Sequence, residues 1–285
     1  MPRSSGYTTA LRNIGSIRNS GFELQLDGRI IDRAVKWDLG VNFSLNRSKV
    51  LVLSEDKDIF GGELDNTILK DQLNLMRVGE PMYVFYGYVE DGYDENGHIV
   101  YKNMDDDPAI TAADKTIIGD PNPDFLVNLT TAVSYKGFTL SAFFQSSIGN
   151  DIYSLSMAAQ AYDYGYNGNT LREVYYNHWT PENPTAKYPN LDQTSYKMSD
   201  RFVYDGSFVR LKNLELAYDV PCARSKFIKR ARVYVSAQNP VYYYELPFLG
   251  SGHKCQWCGS SMIQGVDSYC YPSARSYTIG CRLTF

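Results

Sequence analysis

The sequence lacks any long apolar run and any strong charge of one sign. No segment approaches the roughly 18 consecutive apolar residues that a membrane-spanning helix requires. The 28 basic and 32 acidic residues leave a formal net charge of −4, which does not indicate a surface for nucleic-acid phosphates. We therefore expect neither a helical membrane protein nor a nucleic-acid-binding protein.

Few residues are suited to catalysis. The 3 histidines, His98, His178 and His253, do not lie beside a recognisable Ser or Cys nucleophile elbow. The sequence also has no Gly-rich phosphate loop. A catalytic carboxylate pair of the glycosidase type stays an alternative, because 32 acidic residues offer many chance pairings. We expect no enzyme and no cofactor.

Aromatic residues, in contrast, are abundant. Tyrosine contributes 24 residues, and aromatic residues together make up 14% of the chain. Tyr and Trp are typical of the interfacial girdles of membrane β-barrels. The negative mean hydropathy is compatible with a barrel, because only every second residue of a spanning strand faces lipid.

Alternation of apolar and polar residues predicts three β-hairpins. The first joins residues 22–26 to residues 35–46, and the second joins 127–135 to 138–144 through a turn at Lys136-Gly137. Residues 208–218 and 232–238 form the third. Its alternation slips by one position near Lys212-Asn213, which predicts a β-bulge there.

The connections between these strands are of two sizes. The turn at Lys136-Gly137 is short, whereas residues 54–83, 91–124, 148–200 and 245–272 form long polar segments. Short turns on one side and long loops on the other are typical of outer-membrane barrels. A β-sandwich also alternates but seldom carries several loops of this length, so the barrel is favoured.

The last strand shows the cleanest alternation and ends with the chain. A barrel needs a final strand that pairs with the first, so that no open edge remains in lipid. We predict that one row faces lipid and serves barrel assembly, although a strand that merely ends a soluble protein is the alternative. The lipid-facing row is Tyr277, Ile279, Cys281, Leu283 and Phe285, and the opposite row is Ser276, Thr278, Gly280, Arg282 and Thr284.

Seven short stretches of the sequence are recognisable as motifs. They are residues 13–24 (NIGSIRNSGFEL), 79–88 (GEPMYVFYGY), 118–125 (IGDPNPDF), 143–153 (FFQSSIGNDIY), 205–213 (DGSFVRLKN), 232–239 (RVYVSAQN) and 271–278 (YPSARSYT). Any one of them is a weak signal, but the ordered set is specific. In this order they resemble the carboxy-terminal region of the SusC/RagA family of TonB-linked outer-membrane receptors.

The resemblance implies a transmembrane barrel of about 22 antiparallel strands with a plugged lumen. It also implies a SusD-like surface lipoprotein that helps capture oligosaccharides or peptides, and energy supplied by the TonB complex. Residues 1–285 are then predicted to be one unit, an all-β partial barrel that holds about the last 10 strands.

A family member is also expected to carry a signal peptide, a plug domain and the earlier strands, none of which is recognised in this sequence. Residues 1–5 lack the apolar core of a secretory signal. We therefore predict part of a nutrient-importing receptor of the bacterial outer membrane. A non-transporting truncated remnant and a soluble all-β binding module are the alternatives.

Two groups of side chains have metal-ligand types. Cys255, Cys258 and Cys270, with His253, have only half of a zinc-site spacing, so a loop disulfide is favoured in an oxidising compartment. Free thiols are the remaining alternative.

The acidic residues 105–107 with Asp114 are similar to a calcium loop. The position that needs Gly is Ile110, however, and the loop contains Pro108, so an ordinary solvated loop is favoured. No metal site is expected.

Aromatic residues crowd one long loop and are the candidate ligand contacts. Such rings stack on sugar faces or hold peptide side chains, which suits nutrient capture. The alternative, which the sequence favours, is an extracellular girdle or packing within the loop. The candidates are Tyr162, Tyr164, Tyr166, Tyr175, Tyr176 and Trp179.

Overall fold

The computed structural model describes residues 15–54, 57–65, 69–162, 169–222, 227–244, 263–268 and 273–285. Strands dominate these residues. No helix among them is long and apolar enough to cross a membrane.

The elements in chain order are β1 (Gly15–Asp32), β2 (Val35–Leu53), β3 (Ile59–Phe60), β4 (Leu64–Asp65), β5 (Lys70–Asp71), β6 (Asn74–Met76), β7 (Val84–Gly87), β8 (Glu90–Tyr93), β9 (Ile99–Tyr101), a 3₁₀ turn (Ala112–Asp114), β10 (Thr116–Gly119), β11 (Phe125–Tyr135), β12 (Phe138–Ile148), β13 (Asp151–Ser154), α1 (Leu155–Tyr162), α2 (Arg172–Tyr176), a 3₁₀ turn (Asp200–Phe202), β14 (Val203–Asp205), β15 (Phe208–Val220), β16 (Arg230–Tyr244), β17 (Val266–Asp267) and β18 (Ser276–Thr284).

Seven long strands form one antiparallel sheet, which we call the main sheet, in the order β1-β2-β11-β12-β15-β16-β18. Each long strand pairs with the next long strand of the chain. The three hairpins predicted from alternation are thereby confirmed as β1–β2, β11–β12 and β15–β16.

The described main sheet holds seven strands, where chain length predicted about ten. One reason is strand length, because β1 has 18 residues and β2 has 19, more than the roughly 9–11 residues that span a membrane. The other reason is the long connections, above all the one between β2 and β11, whose described residues form short strands of their own.

The connections separate by length to opposite ends of the main sheet. Residues 33–34 and 136–137 make short turns at one end, where β15 also ends and β16 begins, and which we call the turn end. At Lys136-Gly137 both central residues have positive φ, 47° and 86°, as a two-residue type I′ hairpin requires. Residues 54–124, 149–207 and 245–275 leave from the opposite loop end.

The predicted bulge lies at Lys212. Phe143 of β12 pairs with Asn213, but the next residue, Phe144, pairs with Leu211, so Lys212 is skipped. The partner strand β16 bulges at the same level, where Asn239 adopts a positive φ of 51°. Beyond the bulge Leu211 pairs with both Phe144 and Val241, so the apolar row continues on the same face.

Cross-strand pairing brings the apolar positions of all seven strands to one face. The neighbouring row on the other face is mainly polar. We call these the outward face and the inner face. One outward row, in sheet order, is Ile31, Trp37, Val133, Leu140, Leu216, Val235 and Ile279, and the adjacent inner row is Arg29, Asp38, Ala132, Ser141, Glu215, Ser236 and Thr278.

Many outward side chains are exposed, including Leu140 at 48% and Ile279 at 83% of their full accessible surface. An apolar face of this extent is rare on a protein that is surrounded by water. It is the arrangement that a lipid-facing barrel wall requires, because lipid replaces water as the solvent of every second residue.

The buried apolar core lies in the long connections and not in the main sheet. We call the described residues of 57–124, 149–207 and 263–268 the loop cap. Phe85, Tyr153 and Phe202 are fully buried at its centre, with Phe85 edge-on to Tyr153. The core also includes Leu64, Leu69, Leu73, Leu155, Met157, Val174, Tyr188, Met198, Ile263 and Val266.

The loop cap is attached to the inner side of β2. Val50, which is fully buried, donates its N–H to the Glu80 carbonyl at 2.9 Å and accepts from Gly79 N–H at 2.9 Å. Met82 N–H donates to Ser48 Oγ at 3.2 Å. These bonds hold the cap over the loop end of the sheet.

Candidate functional site

Two adjacent tyrosines stand on the surface of the loop cap. Tyr175 and Tyr176, at the end of α2, are 59% and 71% exposed, and their rings meet edge to face with centroids 5.3 Å apart. The His178 ring lies 6.2 Å from the Tyr175 ring, and its Nδ1 lies 2.7 Å from the Tyr175 carbonyl. The arrangement presents two apolar ring faces with polar tips to solvent.

The short helix α2 is held by its opposite side. Val174 is buried in the cap core, next in sequence to the exposed tyrosines. The chain after the helix pairs with Tyr188, since Trp179 N–H donates to the Tyr188 carbonyl and Tyr188 N–H donates to the Asn177 carbonyl. The exposed rings are therefore carried on an anchored element.

The other candidate aromatics occupy different positions. Tyr162 is buried, stacks on Tyr196 with centroids 3.8 Å apart and contacts Phe202 edge to face. It packs within the loop, which was the favoured alternative for the set, and its ring is not open to a ligand. Trp179 lies against Gly97, where an added Cβ would collide with the indole.

Tyr164 and Tyr166 lie outside the described residues, as do His253, Cys255, Cys258 and Cys270. The predicted loop disulfide therefore stays a prediction. Among the described residues Cys222 and Cys281 form no disulfide, and Cys281 lies on the outward face as expected for a small apolar residue.

A buried ion pair inside the cap was not identified from the sequence. Glu90 and Arg201 form a salt bridge, with side chains 9% and 17% exposed. Ser199 Oγ donates to Glu90 Oε1 at 2.6 Å, and Arg201 also donates to Tyr93 OH at 3.1 Å and to the Lys187 carbonyl. Burial alone lowers the pKa of Arg201, but the Glu90 carboxylate outweighs it and the pKa is raised.

No sequence signal could have found this pair, because its partners are far apart in the chain and each occurs in an ordinary loop context. Its role is to join three parts of the cap: β8, the 3₁₀ turn at residues 200–202 and the segment at Lys187. The pair therefore fixes the surface that carries Tyr175 and Tyr176, whose helix leads into the Lys187 segment.

The acidic loop uses its carboxylates on its own backbone. Asp105 accepts from Asp107 N–H, and Asp107 accepts from Ala109 N–H. Asp114 accepts from Met104 and Thr111 N–H at 2.7 Å each, and these bonds lower its pKa. Asp114 is buried, so it is a structural residue and not a solvated acid. In the described part of the chain no three potential ligand side chains are placed to hold a metal ion.

A polar cavity of about 480 Å³ opens on the inner face near the turn end. Arg232 lies between two carboxylates there, 3.3 Å from Glu215 and 3.5 Å from Asp219. The cavity is lined by Glu215, Asp219, Arg230, Arg232, Tyr234, Arg282 and Thr284.

The last strand places its predicted row on the outward face. Tyr277, Ile279, Leu283 and Phe285 are all exposed. Ile279 pairs with Val235 and Leu283 with Ala231, which continues the apolar rows of β16 to the edge of the sheet. Their role in barrel assembly stays a prediction.

The fold is similar to that of solved peptide transporters. The RagAB peptide transporter superposes with a TM-score of 0.79 at 24% sequence identity, over 100% of this chain and 31% of that one. The RagAB peptide importer in the 'closed-closed' state gives 0.78 over the same shares. No protein-family model matches the sequence.

Sequence comparison identifies the relatives. TonB-dependent receptor P3 of Formosa agariphila is 29% identical over 309 residues, covering 100% of this chain and 30% of the receptor. TonB-dependent receptor SusC of Bacteroides thetaiotaomicron is 28% identical over 285 residues, covering 96% of this chain and 27% of SusC. This chain is a relative of the SusC/RagA-type TonB-dependent receptors.

The chain spans about 30% of the length of the SusC-type relatives it matches. Its main sheet is accordingly part of a SusC/RagA-type barrel wall. TonB-dependent receptors are outer-membrane proteins, and this chain is assigned to the bacterial outer membrane. The relatives named here are receptors and not enzymes.

Proposed function

We propose that this chain forms part of a receptor that imports oligosaccharides or peptides across the outer membrane. The observation that carries the proposal is the continuous apolar outward face of the main sheet, joined at one end to a packed loop cap. The same activity is supported by its relatives, which are named TonB-dependent receptors, and by the RagAB peptide transporter, which shares its fold. A SusD-like lipoprotein as partner and TonB as energy source belong to this proposal.

Within the proposed receptor, Tyr175 and Tyr176 contact the nutrient. Both rings are exposed on a helix that is anchored through Val174, so that ligand binding orders little additional structure. Two rings with hydroxyl tips can cover an apolar sugar face or a peptide side chain and still keep their polar ends in water. Trp179 contributes by packing on Gly97, in the hairpin of β8 and β9.

The test replaces both rings. We expect Tyr175→Ala with Tyr176→Ala to weaken the binding of the best ligand by about tenfold or more, because two aromatic contacts are lost. The measurement is calorimetry of the detergent-purified protein against a panel of oligosaccharides and a pool of short peptides. Phe227→Ala is the control, since Phe227 is an exposed ring in the connection at the turn end.

Two results contradict the proposal. Unchanged ligand affinity in the double variant would show that the two tyrosines do not contact the ligand. Recovery of the intact protein as a soluble monomer without detergent removes the membrane receptor altogether and favours a soluble binding module.

A further inference from the structure

Three basic residues lie on the outward face beyond the apolar rows at the loop end. The pairing of β1 with β2 keeps one register from Ile17 to Arg29, so every second residue stays on one face. Phe22 pairs with Leu45 on the outward face. Two steps along the strands from this pair come Ser20 and Arg47, and four steps away come Arg18 and Lys49.

The pair of Arg18 and Lys49 is electrostatically unfavourable by itself. Directly opposed residues of an antiparallel pair have Cβ atoms about 5 Å apart, and like charges there repel. Arg47 is neutralised by Asp124, whose Oδ1 lies 2.6 Å from its Nη2. Among the described residues, neither Arg18 nor Lys49 makes a salt bridge. A phosphate group bound between them would relieve this repulsion.

The basic residues stand at the height of lipid headgroups. From Val35 to Leu45 the apolar face of β2 is about 34 Å long, at about 3.4 Å per residue. A strand tilt of about 40° reduces this to about 26 Å, the height of the apolar band of an outer-membrane barrel. With the same tilt, Arg47 and Lys49 lie about 5 and 10 Å beyond the band.

The charge is confined to one end of the hairpin. Toward the turn end the outward positions of β1 and β2 are Ile31, Trp37 and Val35, all apolar. Basic residues that served only to end the apolar band could stand at either end. Long loops face the cell exterior in outer-membrane barrels, so this basic cluster faces the outer leaflet.

We propose that Arg18 and Lys49 bind the phosphate groups of an anionic lipid of the outer leaflet, beside Arg47, which is held by Asp124. The acyl chains of that lipid lie against Phe22 and the apolar residues below it, which continue the same face without interruption. Ser20, the small residue between Arg18 and Phe22, leaves space for the headgroup. The site is separate from nutrient binding and depends only on the membrane location.

The test measures lipid retention by native mass spectrometry of the detergent-purified protein. The probes are diphosphorylated lipid A, its dephosphorylated form and phosphatidylcholine. We expect the wild-type protein to retain the diphosphorylated lipid preferentially. Arg18→Gln with Lys49→Gln lowers its affinity about 30-fold, since each basic residue at an anionic surface accounts for about a fivefold change.

The matched control is Arg33→Gln with Lys36→Gln, which removes two charges from the turn end of the same hairpin and leaves retention unchanged. Arg18→Lys, which keeps the charge, retains wild-type binding, as expected if the charge carries the interaction. Equal retention of the phosphorylated and dephosphorylated lipids overturns the proposal. So does binding of inorganic phosphate as tight as that of the lipid, or full retention by the double glutamine variant.

Discussion

A single ion pair illustrates how individual residues hold the loop cap together. Glu90 and Arg201 are both largely withdrawn from water, and their remaining hydrogen-bonding groups are satisfied by Ser199 and Tyr93. A satisfied buried pair adds little net stability compared with apolar residues, but removing one partner leaves the other charge buried and unpaired. The stability of the loop cap is therefore sensitive to the loss of one member of the pair.

We expect Glu90→Gln to destabilise the loop cap by about 3 kcal/mol, because the Arg201 guanidinium then stays buried without its counter-charge. The control is Glu173→Gln, which breaks the exposed ion pair between Glu173 and Lys187 and costs no more than about 0.5 kcal/mol. Amide hydrogen exchange of β8 and of the 3₁₀ turn at residues 200–202 measures the difference. Equal protection in the two variants contradicts the structural role of the pair.

Individual residues also show where sequence reasoning stops. The exposure of Tyr175 and Tyr176 and the burial of Tyr162 could not be separated, because all three are tyrosines in the same polar segment. Their fates differ because Tyr162 faces Tyr196 and Phe202, which arrive from a later part of the loop. Burial here is decided by contacts that are distant in sequence.

Strands whose residues follow a local sequence pattern could be predicted from the sequence. Alternation at period two located the strands of the three long hairpins and the slip at Lys212, because lipid on one side and water on the other impose that period on every wall strand. The short strands of the cap have no such rule. β6 and β7 are buried on both faces, and their pairing depends on partners such as Gln264, whose carbonyl accepts from Asn74 Nδ2 at 3.0 Å.

The hairpin turn between β11 and β12 provides a test at the level of an element. Gly137 has a φ of 86°, and an added Cβ would lie 3.1 Å from Tyr218 Cε2 and 3.2 Å from the Asp219 carbonyl. We expect Gly137→Ala to destabilise the protein by about 1–2 kcal/mol through backbone strain and this crowding.

Lys136→Asn is the matched variant at the neighbouring position, which also has a positive φ. It should be neutral or slightly stabilising, because Asn tolerates the left-handed conformation better than Lys. Urea unfolding of the protein refolded in detergent micelles measures both variants. A neutral Gly137→Ala would show that the turn adjusts without cost.

On the scale of the whole molecule, the protein separates two kinds of apolar surface. The loop cap buries its apolar side chains against one another, as a water-soluble domain does. The main sheet leaves them exposed in continuous rows on one face. The two parts suit two solvents, water around the cap and lipid around the sheet, and the change between them occurs at the loop end near Val50.

Adjacent residues of β12 test this division directly. Leu140 lies on the outward face, opposite Leu216, and Ser141 lies on the inner face, opposite Glu215. We expect Leu140→Arg to cost about 1–2 kcal/mol of folding free energy in a bilayer, because the charge enters lipid between the edge and the middle of the apolar band. Ser141→Arg should cost far less, since its guanidinium meets water and the Glu215 carboxylate. Folding yields in liposomes, read from heat-modifiable gel mobility, measure the contrast. Equal yields for the two variants would mean that the outward face does not contact lipid.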